Sequence, residues 1–401
     1  MGHTDEATAP MDMGKGAWRD LQGSVAYQLL ELLAQSKSCT LESEQNDNWD
    51  AETTNTNLDI HQLNIMSSKL LRWGIASAGK ISEDFVIAVG ALPSTEHKVQ
   101  AVAARSLERA QEFARKHEIP NSYGSYIELA QDEDVDVVYI GALNTQHYEL
   151  SVLMLNHGKH VLCEKSLAMN RKQAEGIVAA AKVNKRFFME AVWSRFFPSY
   201  QYVKELIATK KIGDIQAVEA NLGFPMLEVE RLQKRDLGGG VIYDLGIYAI
   251  QAIQWAFQEK PQNIEATGTL NAEGIDNEVS ATLTYSGGRQ AHLHLSSLEK
   301  LNNTAVITGT KGQVTLIDFY GPNILIDIDG KQKEWLPPQG KFPTNYTNTI
   351  CLLYEAAAVR QSILAGEREN QTVTYADSLL FAEIQDSLRN QIGVLNQYDE
   401  Q

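Results

Sequence analysis

The stretch Arg72–Ser82, "RWGIASAGKIS", decides how this chain folds. A short apolar strand runs at once into Gly74-x-x-Ser77-x-Gly79, and a helical pattern follows. Glycine permits a tight turn and close backbone approach, and Ser77 is small enough to keep that approach open. Such a turn sets the N–H groups of a helix N-terminus against a pyrophosphate. Alone, the glycines also fit a plain strand–helix connection.

The sequence outside this turn supports the nucleotide-binding reading. Apolar strands over 70–76, 99–104, 135–140, 160–163 and 187–191 alternate with helical patterns over 80–92, 107–117, 146–156 and 171–183. That rhythm predicts a parallel, doubly wound sheet with both faces covered. After about Pro198 the period changes. Following a helix at 199–209, alternating segments over 215–223, 264–270, 279–285, 290–296, 305–308, 313–317 and 324–328 predict a largely antiparallel sheet. Helices over 240–257, 346–365 and 375–393 accompany it. The expected organisation is α/β followed by α+β. A Rossmann dinucleotide domain spans residues 66–191, and a substrate and dimerisation domain with an open sheet spans 192–395.

Residues 1–65 read as a separate, non-catalytic acidic extension with one helical stretch near 17–33 and a polar, disordered remainder. The first 68 residues carry 11 acidic and 3 basic side chains, so half of the chain's net charge of −16 lies there. That charge argues against nucleic acid or an anionic membrane as the main partner. No stretch approaches the roughly 18 apolar residues of a membrane span. Cys39, Cys163 and Cys351 are far apart and odd in number, which suits reduced thiols in a cytoplasmic protein. No metal-ligand spacing and no nucleophile motif occurs.

Four further stretches carry chemistry. In "VAARS", Val102–Ser106, Arg105 stands where NAD enzymes usually present an acid to the ribose, with Arg109 one helical turn on. A guanidinium suits a 2′-phosphate, so the stretch favours NADP, although a solvated surface arginine would look the same. In "VLCEKSL", Val161–Leu167, Glu164 and Lys165 end a strand at the edge where ligands bind parallel sheets. A surface Glu–Lys pair is the other reading. In "GGGVIYDLGIYAIQ", Gly238–Gln251, the polar Asp244, Tyr248 and Gln251 interrupt an apolar helix and predict a cavity-lining face. Tyr248 is either a proton carrier or a core tyrosine. In "FFMEAVWSRFFPSY", Phe187–Tyr200, Trp193, Phe196 and Phe197 form either a substrate wall or a hydrophobic hinge.

Taken in order, these stretches resemble the Gfo/Idh/MocA oxidoreductases, and within them the dimeric dihydrodiol dehydrogenase branch. The resemblance runs from about Met66 to Val394 and adds "YIGALNTQH" (139–147) and "TGTKG" (308–312) to the motifs above. It implies reversible hydride transfer between NADP and a carbinol carbon, from a trans-dihydrodiol to catechol or from D-xylose to its lactone, in a homodimer. It also implies roles. Lys165 is the family's catalytic lysine, and Asp244 and Tyr248 fall on its D-x-G-x-H/Y positions, with Tyr248 transferring the proton at a pKa lowered by Lys165. Gly74, Ser77, Gly79, Ile81, Arg105, Tyr139, His147, Glu164 and Lys165 handle the cofactor, while Trp193, Phe196 and Ile247 shape the substrate pocket. A non-catalytic NADP-binding regulator and another sugar or inositol dehydrogenase are the rival readings. One departure stands out. The family has Glu-Lys-Pro where this chain has Ser166. Serine takes a cis peptide less cheaply than proline, which predicts a looser loop around Lys165.

Overall fold

The structure is a computed structural model and describes residues 69–399. The readings of residues 1–65, and the start of the first domain at 66–68, lie outside the described residues. So does Cys39.

The first layer is a six-stranded parallel sheet. Its strands are β1 (Leu71–Ala76), β2 (His97–Ala103), β3 (Asn121–Tyr123), β4 (Val137–Ile140), β5 (His160–Glu164) and β6 (Phe188–Ala191), in the order β3-β2-β1-β4-β5-β6. The helices between them are α1 (Lys80–Val89), α2 (Leu107–Lys116), α3 (Tyr126–Gln131), α4 (Asn144–Asn156) and α5 (Arg171–Asn184). The sequence pattern did not reveal β3 and α3. Three residues are too few to show a period, and the six of α3 are barely a turn and a half. Local caps start several helices: Ser106, Ser125 and Asn170 accept the backbone N–H three residues on. The helix α1 is different, because Gly79 caps it without any side-chain hydrogen bond. Gly74 is needed for packing. A Cβ there would come within 2.9 Å of Val135 and 3.0 Å of Leu129.

The reversal of strand order lies between β1 and β4, and there the carboxyl ends of the strands open a crevice. Strands this apolar must be covered on both faces. Trp73, Val138, Ile140, Val161, Leu162 and Phe188 are accordingly buried.

The chain then passes through a 3₁₀ turn (Trp193–Phe196) and α6 (Pro198–Ala208) into an eight-stranded sheet. Its strands are β7 (Ile215–Gly223), β8 (Asn263–Leu270), β9 (Asp276–Thr284), β10 (Gln290–Ser296), β11 (Thr304–Gly309), β12 (Gly312–Ile317), β13 (Ile324–Ile326) and β14 (Gln332–Glu334). They lie in the order β14-β13-β12-β11-β7-β10-β9-β8. All neighbours are antiparallel except β7 and β10. After the one-turn α7 (Glu230–Gln233), one face packs on the helix α8 (Ile247–Phe257), whose buried residues include Ala249, Ile250, Ala252 and Ile253. The last helices, α9 (Leu352–Leu364) and α10 (Tyr375–Ile392), return to the first layer, where α9 packs on α1 and α10 on α5. A Thr374–Asp377 capping box starts α10, and Gly393, at a φ of 81°, ends it.

Candidate active site

The site is built where β5 ends and α8 begins. Lys165 follows the last residue of β5. Its Nζ donates to the Asp244 carbonyl at 2.9 Å and lies 4.0 Å from Asp244 Oδ1 and 4.7 Å above the Tyr248 ring. Asp244 belongs to a widened, π-type turn (Ile242–Gly246) just before α8, and such turns are frequent at functional sites. Asp276 anchors that turn, its Oδ2 accepting the Ile242 N–H at 2.7 Å. Trp193 Nε1 donates to Tyr248 Oη at 3.0 Å, so a residue of the 3₁₀ turn fixes the phenol from the other side.

Three charges surround the phenol. Burial alone would push Asp244 up, but Lys165 and Arg231 outweigh it and hold the carboxyl below its ordinary range. Burial alone would push Lys165 down, but Tyr248, Asp244 and Glu164 outweigh it and hold the ammonium above its ordinary value. Lysine and aspartate are therefore charged together. The expected lowering of Tyr248 does not occur in this structure. Burial raises its pKa, and the opposing pull of Lys165 and the Trp193 hydrogen bond only limits the rise. Desolvating a phenolate costs more than one shared ammonium returns.

Ser166 does not loosen the loop. The Lys165–Ser166 peptide is cis, and the serine is tied on several sides. Its hydroxyl donates to the Tyr243 carbonyl at 2.8 Å and accepts from Gln385 Nε2 at 2.8 Å. Its carbonyl lies 2.9 Å from His147 Nδ1. Those contacts reach α10 and the π-type turn, so tertiary partners that no local pattern reveals aim Lys165 into the site.

Other expected cofactor residues have supporting positions. Tyr139 is fully buried, stacks on Phe85 with ring centroids 3.8 Å apart, and donates to Glu164 Oε1 at 2.6 Å. Burial raises Glu164 despite the help of Tyr139 and Lys165. His147 is buried between the Ser166 and Ala142 carbonyls, and burial lowers it to about 4, so at pH 7 it is neutral and its single ring N–H donates to one of the two. Gln251 does not line the cavity. It is buried and donates to Tyr200 Oη at 2.7 Å. Phe196 and Ile247 are buried beside Trp193 and Tyr248 in sequence, and Phe197 is in the core.

The glycine turn fits a dinucleotide. The first turn of α1 has no side-chain cap, leaving its N–H groups for a ligand. A Cβ on Gly79 would meet nothing closer than 3.7 Å, so the space above this helix end is kept clear by the missing side chain. Ser77 adopts a φ of 93° to shape the turn. Ile81 follows on α1, and Arg105 is exposed two residues beyond β2.

Family models match both halves of the chain. One, described as an oxidoreductase family with an NAD-binding Rossmann fold, covers residues 71–192, and another, a GFO/IDH/MocA C-terminal domain, covers 200–315. The chain belongs to the Gfo/Idh/MocA oxidoreductases. A trans-1,2-dihydrobenzene-1,2-diol dehydrogenase from Xenopus tropicalis is 42% identical over 325 residues, covering 80% of this chain and 98% of that protein. Solved structures share the fold at lower identity. A levoglucosan dehydrogenase in complex with NADH matches at a TM-score of 0.72 and 20% identity, covering 81% of this chain and 97% of that one. A 3-ketoreductase from Actinomadura kijaniata in complex with NADP matches at a TM-score of 0.68 and 24% identity, covering 81% and 98%.

Sequence reasoning missed Arg231, whose Nη2 lies 2.8 Å from Asp244 Oδ1. It also missed Tyr320, whose ring meets that of Tyr248 edge-on at 6.1 Å, and Tyr346, which is in electrostatic reach of Arg231, Asp244 and Lys165. All three come from loops or short turns, where periodicity carries no signal. Among the described residues, no group of three or more His, Cys, Asp or Glu side chains could hold a metal, and no helix is long and apolar enough to cross a membrane.

Proposed function

We propose that this oxidoreductase is NADP-dependent and takes hydride from a carbinol carbon of a cyclic diol, converting a trans-dihydrodiol to catechol, with D-xylose as a second substrate oxidised to its lactone. The observation that carries the reading is the buried Lys165 ammonium 4.7 Å over the Tyr248 ring, in a chain whose α1 N-terminus is left without a side-chain cap. The identity with dihydrodiol dehydrogenases over nearly their whole length supports the substrate class.

In this reading Ser77, Gly79 and Ile81 hold the pyrophosphate, Gly74 inside β1 lets the sheet pack closely beneath the turn, and Arg105 pairs with the 2′-phosphate. A bound nicotinamide dinucleotide supplies the hydride acceptor. Tyr248 takes the proton of the reacting hydroxyl through its Oη. Lys165 stabilises the phenolate and orients the hydroxyl. Asp244 keeps Lys165 charged and in place. Trp193 holds the phenol and, with Tyr320, presents aromatic surface to a ring-shaped substrate.

Hydride transfer is followed by the near-ultraviolet absorbance of reduced nicotinamide with NADP⁺ and a panel of trans-dihydrodiols, pentoses and inositols. Turnover of the diol that is lost in Tyr248→Phe supports the proposal. Cofactor binding without turnover of any panel member favours a non-catalytic NADP-binding regulator, and preference for an inositol or another sugar shifts the substrate class.

A homodimer through the open face of the second sheet belongs to the same proposal. That face carries Glu265, Thr267, Ser280, Thr282, His292 and His294, so the contact would be polar. Light scattering of the purified chain tests it, and a monomer at micromolar concentration refutes it.

A further inference from the structure

Asp84 is a fully buried acid in the middle of α1, and it accepts hydrogen bonds from a segment far away in sequence. The Asn345 and Tyr346 backbone N–H groups donate to it at 2.6 and 3.0 Å, Asn345 Nδ2 at 2.7 Å and Thr349 Oγ1 at 2.6 Å. Asn345 Nδ2 also lies 3.3 Å from the Lys80 carbonyl and 3.2 Å from Glu83 Oε2, in the first turn of α1. Asp84 therefore accepts four hydrogen bonds from Asn345, Tyr346 and Thr349, and charge-assisted bonds of this kind are the strong ones.

The other end of the segment is tied to the substrate side. Asn348 Nδ2 donates to the Gly321 carbonyl at 2.8 Å. Gly321 presses on Trp193: a Cβ there would come within 2.7 Å of the indole. Tyr346, between the two ties, is half exposed and feels the charges of Arg231, Asp244 and Lys165. Residues 345–349 thus join the helix behind the glycine turn to the indole that holds Tyr248.

We propose that Asp84 is a positioning residue for the substrate. By holding residues 345–349 on α1, it sets Tyr346 at the mouth of the site and couples cofactor occupancy at the α1 N-terminus to substrate affinity. This rests on the reading of Gly74–Ile81 as the cofactor turn. Coupling between two sites is reciprocal, so bound NADP⁺ tightens the diol site by the same factor by which the diol tightens the cofactor site. The carboxylate of Asp84 touches neither ligand; it acts through the segment it holds.

The test uses the full chain with Asn345→Ala, which removes one side-chain donor and leaves Asp84 in place. Asp84→Asn is the stronger change, and Asn345→Ala keeps the test alive if that variant fails to fold. Substrate KM, kcat and the Kd of NADPH without substrate are measured, together with the thermal midpoint. In Asn345→Ala the diol KM rises about tenfold, while the Kd of NADPH stays within about twofold and the midpoint within about 2 °C, as for a surface change. Added to Tyr346→Ala, it raises KM no further, because both act through one ring. An unchanged KM overturns the proposal, as does a parallel loss of cofactor affinity, midpoint and KM, which marks a purely structural role. If the wild-type chain does not bind NADPH, the cofactor reading falls and this proposal with it. If it binds NADPH and oxidises the diol while Asn345→Ala leaves KM unmoved, only this proposal falls.

Discussion

Replacing Lys165 by methionine keeps the length of the side chain and removes its charge. In the native site that charge sits 4.7 Å from the Tyr248 ring centre, worth about 3.5 kcal/mol of phenolate stabilisation at an effective dielectric of about 20. The Asp244 carboxylate, 4.0 Å from Nζ, cancels part of this, and halving the value leaves about 1.8 kcal/mol. At about 1.4 kcal/mol per factor of ten, the two bounds correspond to a loss in kcat of about 20- to 400-fold at neutral pH. The sign of the pH dependence follows from the raised Tyr248 pKa. Only the phenolate accepts the proton, so diol oxidation by the wild-type enzyme climbs with pH through the neutral and mildly alkaline range. In Lys165→Met the climb moves further alkaline. In Lys165→Arg, which restores the charge in a different shape, it moves part of the way back. Initial rates of diol oxidation over that range measure both effects. A Lys165→Met enzyme within about threefold of wild type, with an unmoved profile, refutes the assignment of Lys165 to Tyr248.

Other perturbations probe the rest of the site. Arg105→Ala lowers kcat/KM with NADP by about 10- to 100-fold and leaves NAD nearly untouched, which steady-state kinetics with both cofactors will show. Ser166→Ala removes a donor to the Tyr243 carbonyl and an acceptor for Gln385, costing about 1–3 kcal/mol in denaturant unfolding, with a larger loss in kcat than in cofactor affinity. Glu190 is buried and raised to about 7, chiefly by desolvation, and accepts the Leu167 N–H at 2.9 Å. Between its unfolded pKa near 4.5 and about 7 the folded chain holds a proton that the unfolded chain has lost, so this group makes stability fall as pH rises through that window, by up to about 1.4 kcal/mol per unit. Glu190→Gln keeps the acceptor and flattens that part of the fall, read as thermal midpoint against pH; an unchanged slope counts against the buried, protonated acid.

The double sheet was legible because its evidence is local. Continuous apolar strands separated by amphipathic helices state a parallel sheet, and the period-two segments after Pro198 state an antiparallel one. The glycine turn at Gly74–Gly79 was legible for the same reason, since missing side chains are visible in sequence. Lys165, Asp244 and Tyr248 were nominated by motif order, and the structure brings them within a few ångströms.

Their electrostatic state was not legible. Lys165 and Asp244 are 79 residues apart, and the balance that raises Tyr248 depends on how deeply the fold buries all three. Nor could sequence show that Ser166 is held by Tyr243 and Gln385, or that Asp84 grips residues 345–349 from some 260 residues away. Periodicity reports which face of an element is apolar. It says nothing about which distant polar atom will meet another, because that distance is set only when both sheets and the returning helices α9 and α10 have packed. The sequence by itself determined the two layers and the glycine turn between β1 and α1. The tertiary structure decided which side chains share the buried cluster of Lys165, Asp244 and Tyr248, since desolvation and charge pairing exist only between groups the fold has brought together.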